Sequence, residues 1–199
     1  MKYAFIHHID HLQQFSRQLF YYISRFNPCI FLDSNSHVFR PQKYDRYDIL
    51  AACGATYQLK GSDKYLLSNL RKSICENPSW LFGYLGYDVK NYIENLSSDN
   101  YDGLGFPDIF FFSPEIIFKV RGDRLEIESD TANEDELQRI FLNVTGISFN
   151  REMQPAEFTV CHRMPYEIYI ERVRAILQHI SRGDIYEMNF CQEFYSENI

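Results

Sequence analysis

Residues 109–128 read IFFFSPEIIFKVRGDRLEIE, and the local patterns in this stretch set the fold class. Ile109–Phe112 and Ile116–Phe118 are short apolar runs bounded by breakers, and both read as strands. Pro114 stands between them; it has no N–H to give a central ladder, so it belongs at a bulge or an edge. Gly122-Asp123 is a hairpin-turn pair. The Leu125-Glu126-Ile127-Glu128 that follows alternates strictly, which predicts one apolar and one wet face. Strands joined by tight turns pair antiparallel. The fold expected is therefore α+β, with mostly antiparallel sheets flanked by helices, rather than a regular βαβ series.

Toward the N-terminus, Trp80–Tyr87 is strand-like, and Gly83 and Gly86 suggest close backbone approach. Ser62 is placed to cap a helix through Tyr65, Leu66, Asn69, Leu70 and Ile74, closed before Pro78. Tyr47 to Leu59 reads as one strand region ending at Gly61-Ser62, and Cys29–Leu32 as a buried strand running into Asp33-Ser34-Asn35-Ser36. Asp10 can cap a helix whose apolar positions Leu12, Phe15, Leu19, Tyr22, Ile23 and Phe26 recur at helical spacing up to Asn27-Pro28.

Toward the C-terminus, Glu134, Asp135 and Glu136 lie where the positive end of a helix favours acids, ahead of Leu137, Ile140, Phe141 and Val144. They read as a solvated helix start. A polar connector follows, then a strand at Phe158–Val160. Pro165 opens a long helix with Tyr166, Tyr169, Ile170, Val173, Ile176, Leu177 and Ile180 on one stripe. Gly183 ends it, and Asp184 to Tyr195 reads as one long strand. The chain is thus partitioned into a domain over 1–146, a connector over 147–156 and the start of a second domain over 157–199.

Composition excludes several classes. The 199 residues carry 27 acidic and 20 basic side chains, a net charge of −7, which makes nucleic acid a poor partner. At 45% hydrophobic and 17% aromatic the chain is too apolar for disorder. No stretch approaches the roughly 18 apolar residues of a membrane span, and the N-terminus lacks the pattern of a signal peptide. Cys29, Cys53, Cys75, Cys161 and Cys191 are scattered without a CxxC pair, so reduced, mostly buried thiols and a cytoplasmic location are expected. His7, His8 and His11 have no accompanying fourth ligand and read as a surface cluster near a frayed terminus. Gly103-Leu104-Gly105 fits no phosphate-binding loop, no serine sits in a GxSxG elbow, and Cys161-His162 are strand neighbours that face opposite ways.

The final strand is the most informative. Period-two alternation would set Glu187 and Asn189 about 7 Å apart on one face. A polar pair there is either satisfied by neighbouring structure or turned toward a ligand.

The segment Gly183-Asp184-Ile185-Tyr186-Glu187-Met188-Asn189-Phe190-Cys191-Gln192-Glu193-Phe194 resembles the GDxYQVNxxQxF signature of the chorismate-utilising enzyme family, in its aminodeoxychorismate synthase component I branch. Phe31-Leu32-Asp33-Ser34 resembles the family's Leu-Leu-x-Ser segment, and Lys43-Tyr44-Asp45-Arg46-Tyr47-Asp48-Ile49 is similar to the Tyr-Ser-Arg-Phe-Asp segment after it. Phe82–Asp88 with Phe106-Pro107-Asp108 looks like the Gly-Tyr-Asp and Leu-Pro-Asp pair.

The resemblance implies amination of chorismate at C4, with ammonia from a glutamine amidotransferase subunit, on the way to p-aminobenzoate and folate. It implies Mg2+ on the ring carboxylate, with the metal carboxylates, a lysine and an arginine all lying beyond Ile199. The 199-residue chain alone is then expected to be inactive. Water-using relatives carry a lysine at the position matching Glu187 and ammonia-using ones a glutamine; Glu187 departs from both, and the absence of lysine argues against water as nucleophile. Asn189 favours the aminodeoxychorismate branch over anthranilate synthase component I. Glu187 and Asn189 are the candidate catalytic residues. By the same resemblance Ser34, Tyr44, Asp45 and Tyr47 line a tryptophan pocket, where Asp33 or Asp45 could pair with an ammonium and Tyr44 or Tyr47 pack the indole. A turn cluster is the alternative, and a non-catalytic module that binds tryptophan or docks the amidotransferase is the competing function.

Overall fold

The computed structural model describes residues 3–35, 46–76, 79–94, 96–97, 100–149 and 158–197. Its first unit, Met1–Phe149, opens with β1 (Tyr3–His8), α1 (Leu12–Ile23), β2 (Cys29–Asp33), β3 (Ile49–Cys53), β4 (Tyr57–Gly61) and α2 (Leu66–Glu76). It continues with β5 (Phe82–Leu85), a 3-10 turn at Tyr87–Val89, α3 (Lys90–Ile93), β6 (Ile109–Ser113), β7 (Ile116–Arg121), β8 (Arg124–Ser129) and α4 (Glu134–Thr145). The strands form a five-stranded sheet, ordered β1-β8-β7-β3-β2, and a three-stranded sheet, ordered β4-β6-β5. Every pairing is antiparallel, so the α+β class expected from the hairpins is the one observed.

The decisive stretch spans both sheets. Gly122 turns β7 into β8 at φ 60°, as the hairpin signal requires. Pro114, however, is at neither a bulge nor an edge. It lies where the chain leaves β6, the middle strand of the small sheet, for β7 inside the large one, and its missing N–H costs no ladder bond there. The expected Tyr47–Leu59 strand likewise breaks at Gly54 (φ 70°), with β3 in the large sheet and β4 in the small one.

One face of the large sheet, with Ala51, Cys53, Phe118, Val120, Leu125 and Ile127, packs against Phe15, Leu19, Tyr22 and Ile23 of α1 and Leu137 and Val144 of α4. Ala52 and Ile117, on the other face, pack against Phe82 and Phe112 of the small sheet. That second layer changes the fate of Glu126 and Glu128. Instead of a wet face, Glu128 is 7% exposed and bonded to the Lys119 ammonium, which also lies 3.6 Å from Glu126 and 5.6 Å from the Trp80 ring centroid. Carboxylates removed from water must be paired, and Lys119 supplies the charge.

Three local expectations are corrected by competing partners. Neither Asp10 nor Ser62 caps a helix: α1 starts after His11 without a side-chain cap, and the Ser62 hydroxyl accepts the Asp108 N–H at 3.2 Å. β2 is not buried, because it is the edge strand of its sheet and leaves Leu32 47% exposed. The N-terminus is not frayed: Tyr3–His8 form a full edge strand on β8, with the His7 ring 4.1 Å from Phe141 and the His8 Nδ1 3.2 Å from Asp123. The acidic start of α4 is more specific than a dipole effect. Asn133 accepts from the Glu136 N–H at 3.0 Å while Glu136 accepts from the Asn133 N–H at 2.8 Å, a capping box. At the other end of α4, the buried Gln18 amide donates to the carbonyls of Thr145 and Ile147, both at 2.8 Å.

The second unit, Asn150–Ile199, contains β9 (Cys161–His162), α5 (Tyr166–Arg182) and β10 (Phe194–Tyr195), with β9 and β10 antiparallel. Of the 147–156 connector, residues 150–156 lie outside the described residues. The strand expected at Phe158–Val160 forms instead at Cys161–His162. The long strand expected from Asp184 to Tyr195 is irregular over 184–193, with only Phe194–Tyr195 in a ladder. Among the described residues β9 is the strand that β10 pairs with, and it is two residues long. Alternation alone cannot hold a strand without a partner for its backbone groups.

Gly83 pairs opposite Phe111, and a Cβ there would stand 2.0 Å from the Phe110 carbonyl oxygen. Gly83→Ala is therefore expected to lose about 3 kcal/mol or more of stability, against about 1 kcal/mol for Asn133→Ala. Urea midpoints of the two variants check both values, and equal midpoints would refute the ranking.

Candidate functional site

Two places bring expected site residues into view, one in each unit, and each is built by its own elements. In the second unit Pro165 opens α5 and Gly183 closes it in the left-handed conformation, φ 79°. The Gly183 N–H donates to the Ile180 carbonyl and the Asp184 N–H to the His179 carbonyl, both at 3.0 Å. This paired closure fixes where residues 184–193 leave the helix. The Asp184 carboxylate then receives the His179 ring at 2.7 Å and Arg182 at 3.0 Å.

The far end of the segment is held just as firmly. Phe190 stacks on Tyr169 at 5.3 Å, and the Gln192 amide donates to the Met164 carbonyl at 2.6 Å. Arg163 grips Glu193 through both arms, at 2.9 and 3.1 Å, and its own N–H donates to the Glu193 carbonyl at 3.0 Å. The guanidinium holds the Glu193 carboxyl below its ordinary value of 4.5 and also lies 4.1 Å from the Tyr195 ring centroid. Between these anchors Glu187 and Asn189 are exposed. They are not set on one face by strand alternation, because no strand runs through them. The residues that position the segment, Arg163, Asp184, Gln192 and Glu193, are not singled out by spacing. Arg163 and Glu193 meet across thirty residues, beyond the reach of any local pattern.

In the first unit a cavity of about 340 Å³ opens between α1 and the ends of β2 and β3, lined by residues including Arg17, Asp33, Asn35 and Asp48. Asp33 faces Ile49 across the ladder, and its Oδ1 accepts the Asn35 N–H at 2.7 Å, turning the chain with Asn35 at φ 52°. Asp48 is fixed by three hydrogen bonds. Its N–H donates to the Val120 carbonyl at 2.8 Å, its carbonyl accepts from Ser34 at 2.9 Å, and its Oδ2 accepts the Gly122 N–H at 2.6 Å; a further interaction holds it as well.

Of the expected pocket residues, Asp33 lines the cavity. Ser34 is not in the lining, and its buried hydroxyl has no hydrogen-bond partner among the described residues; Tyr47 is half-buried outside the lining. Tyr44 and Asp45 lie outside the described residues. Sequence reasoning misses Asp48 and Arg17, since only the fold brings α1 beside β2. Two carboxylates, a guanidinium and an amide around one cavity suit a small zwitterion. Among the described residues no three His, Cys, Asp or Glu converge in a way that could hold a metal ion.

A family model described as chorismate binding enzyme matches residues 27–198, across both units and through the anchored Gly183–Phe194 segment. The chain belongs to the chorismate-binding enzyme family. Within it the chain is similar to anthranilate synthase component 1 of Thermus thermophilus, 30% identical over 116 residues, 53% of this chain and 25% of that protein. It is also similar to aminodeoxychorismate synthase component 1 of Bacillus subtilis, 28% identical over 120 residues, 54% of this chain and 25% of that protein. Each match covers a quarter of the curated relative's length. Among the described residues of this chorismate-binding family member, no helix is long and apolar enough to cross a membrane.

A carboxyl held down by a cation releases its proton at lower pH, and the ion pair survives until that lower value is crossed. The Arg163 Nε–H resonance, followed by NMR over roughly pH 5 to 2, is expected to move with a midpoint below 4.5. Glu193→Gln should leave it flat. A midpoint at or above 4.5 would show that the pair does not hold in solution.

Proposed function

We propose that this chain carries the N-terminal part of an aminodeoxychorismate synthase component I, which replaces the C4 hydroxyl of chorismate with ammonia supplied by a glutamine amidotransferase subunit. The product would be 4-amino-4-deoxychorismate, a precursor of p-aminobenzoate. The observation that carries this reading is the anchored segment 183–194, with Asn189 and without a lysine at position 187. Ammonia is itself a nucleophile and needs no base to generate it, whereas water does, and a carboxylate is a weak base for water. Glu187 and Asn189 are exposed between two fixed ends, and that accessibility supports the reading that they meet a ligand. Membership of the family and the similarity to the Bacillus subtilis protein support the reading. The slightly higher identity to the Thermus thermophilus protein favours a second one, anthranilate synthase component I.

Chorismate, an ammonium salt and a magnesium salt, incubated with the protein as its gene encodes it, separate the two by their products. 4-Amino-4-deoxychorismate supports the proposal, and anthranilate hands it to the second reading. If neither forms, both synthase readings fall in favour of a binding module. Asn189→Ala is expected to lower kcat/KM for chorismate about tenfold, the loss of roughly one hydrogen bond to a charged group.

The same reading gives the Asp33 cavity to an α-amino acid, tryptophan by the family resemblance. Asp33 and Asp48 would take the ammonium and Arg17 the carboxylate. Titration calorimetry with L-tryptophan should show binding that Asp33→Asn weakens at least tenfold. Equal affinity in the variant, or no heat at all, would remove tryptophan from the proposal.

A further inference from the structure

Cys29 and Cys53 are direct partners in the β2–β3 ladder. The bond next to them decides what kind of pair they are. The Gly54 N–H donates to the Pro28 carbonyl at 3.1 Å, so the hydrogen bonds flank the two cysteines and do not join them. A pair of this kind brings its Cα atoms to about 4.5 Å, inside the ~4.4–6.8 Å that a disulfide spans. Both side chains leave the same face of the sheet. Cβ atoms in such pairs stand about 4.5–5.5 Å apart, against ~3.5–4.5 Å in a disulfide. The remaining gap falls on β2, an edge strand tied to the sheet along one side only and free to close on β3.

The two sulfurs are unlike in access. Cys29 is exposed, whereas Cys53 is fully buried in the main core. Burial, Cys29 and the Glu115 carboxylate together push the Cys53 thiol up to about 12, so it stays protonated and shielded at neutral pH. An oxidant therefore meets Cys29 first. Cys75 sits in α2, Cys161 faces Tyr195 in its ladder, and Cys191 lies in the irregular 184–193 segment, so none of the other three has a cysteine opposite it.

We propose that Cys29 and Cys53 are an oxidative modification site, closing reversibly into a cross-strand disulfide when the protein meets a peroxide. The Cys29 sulfur attacks one peroxide oxygen; the O–O bond breaks, a sulfenic acid forms on Cys29, and one water leaves. The Cys53 sulfur then gives up its proton and attacks the Cys29 sulfur, forming the S–S bond and expelling the sulfenic oxygen as a second water. Two thiols are oxidised and one peroxide is reduced to two waters. The link would pin the edge strand at the end of β2 away from Asp33, about 13 Å along the strand from the cavity.

The test exposes the protein to hydrogen peroxide, blocks remaining thiols with N-ethylmaleimide and maps tryptic peptides without reductant. The expected product joins Phe26–Lys43 to Tyr47–Lys60, with the loss of two hydrogens, and separates again with dithiothreitol. Cys29→Ser, a change at an exposed position, should abolish the linked pair and leave Cys53 recoverable as a thiol. Cys29 trapped as sulfinic acid, or joined to Cys75, Cys161, Cys191 or a second copy, would overturn the proposal.

Discussion

Burial of both faces of β7 is the constraint on which the first unit depends. Phe118 and Val120 turn toward α1 and α4, while Ile117 turns toward the small sheet, and none of the three is more than 6% exposed. A strand covered on both faces must either be apolar throughout or neutralise what is not. Apart from the exposed Arg121 at its end, Lys119 is the exception in β7, and the carboxylates of β8 answer it. The pair of sheets thus explains a composition that the isolated hairpin would not: charged residues on the inner face, each held by a partner rather than by water.

How far the sequence can be read follows from whether the information is local. The acids in the first turn of α4, the Pro165 and Gly183 limits of α5 and the Gly122 turn are set by neighbours a few residues away, and the structure keeps all of them. β1 is invisible in the sequence because an edge strand with mostly exposed side chains has no apolar rhythm, only backbone bonds to β8. The switch at Pro114 is easily misread because a proline that ends one strand looks the same whether the next strand joins the same sheet or another. The 184–195 segment fails in the opposite direction: its alternation is real, but a rhythm of side chains does not supply a neighbouring strand.

The candidate site divides the same way. Asp33 can be found because it lies beside a motif, and it does line the cavity. Asp48 and Arg17 come to it through the β3 ladder and the α1 face, contacts fixed only by tertiary structure. In the second unit the motif residues are recognisable by their order along the chain. Their fixed geometry comes from Arg163 and Asp184, one before the helix and one after it. The segment is therefore anchored at its ends and open in its middle, an arrangement suited to presenting side chains rather than burying them.

The chain passes between the two sheets of the first unit twice, from β3 to β4 and from β6 to β7. Each crossing is only a few residues long, and the N–H of Thr56, on one crossing, donates to the carbonyl of Ser113 at the start of the other, at 2.9 Å. Neither sheet can lose its order without dragging the ends of the other apart. Local opening free energies usually differ from one part of a protein to another. Here the two crossings join the sheets end to end, so the three-stranded sheet is expected to open together with the large one rather than ahead of it.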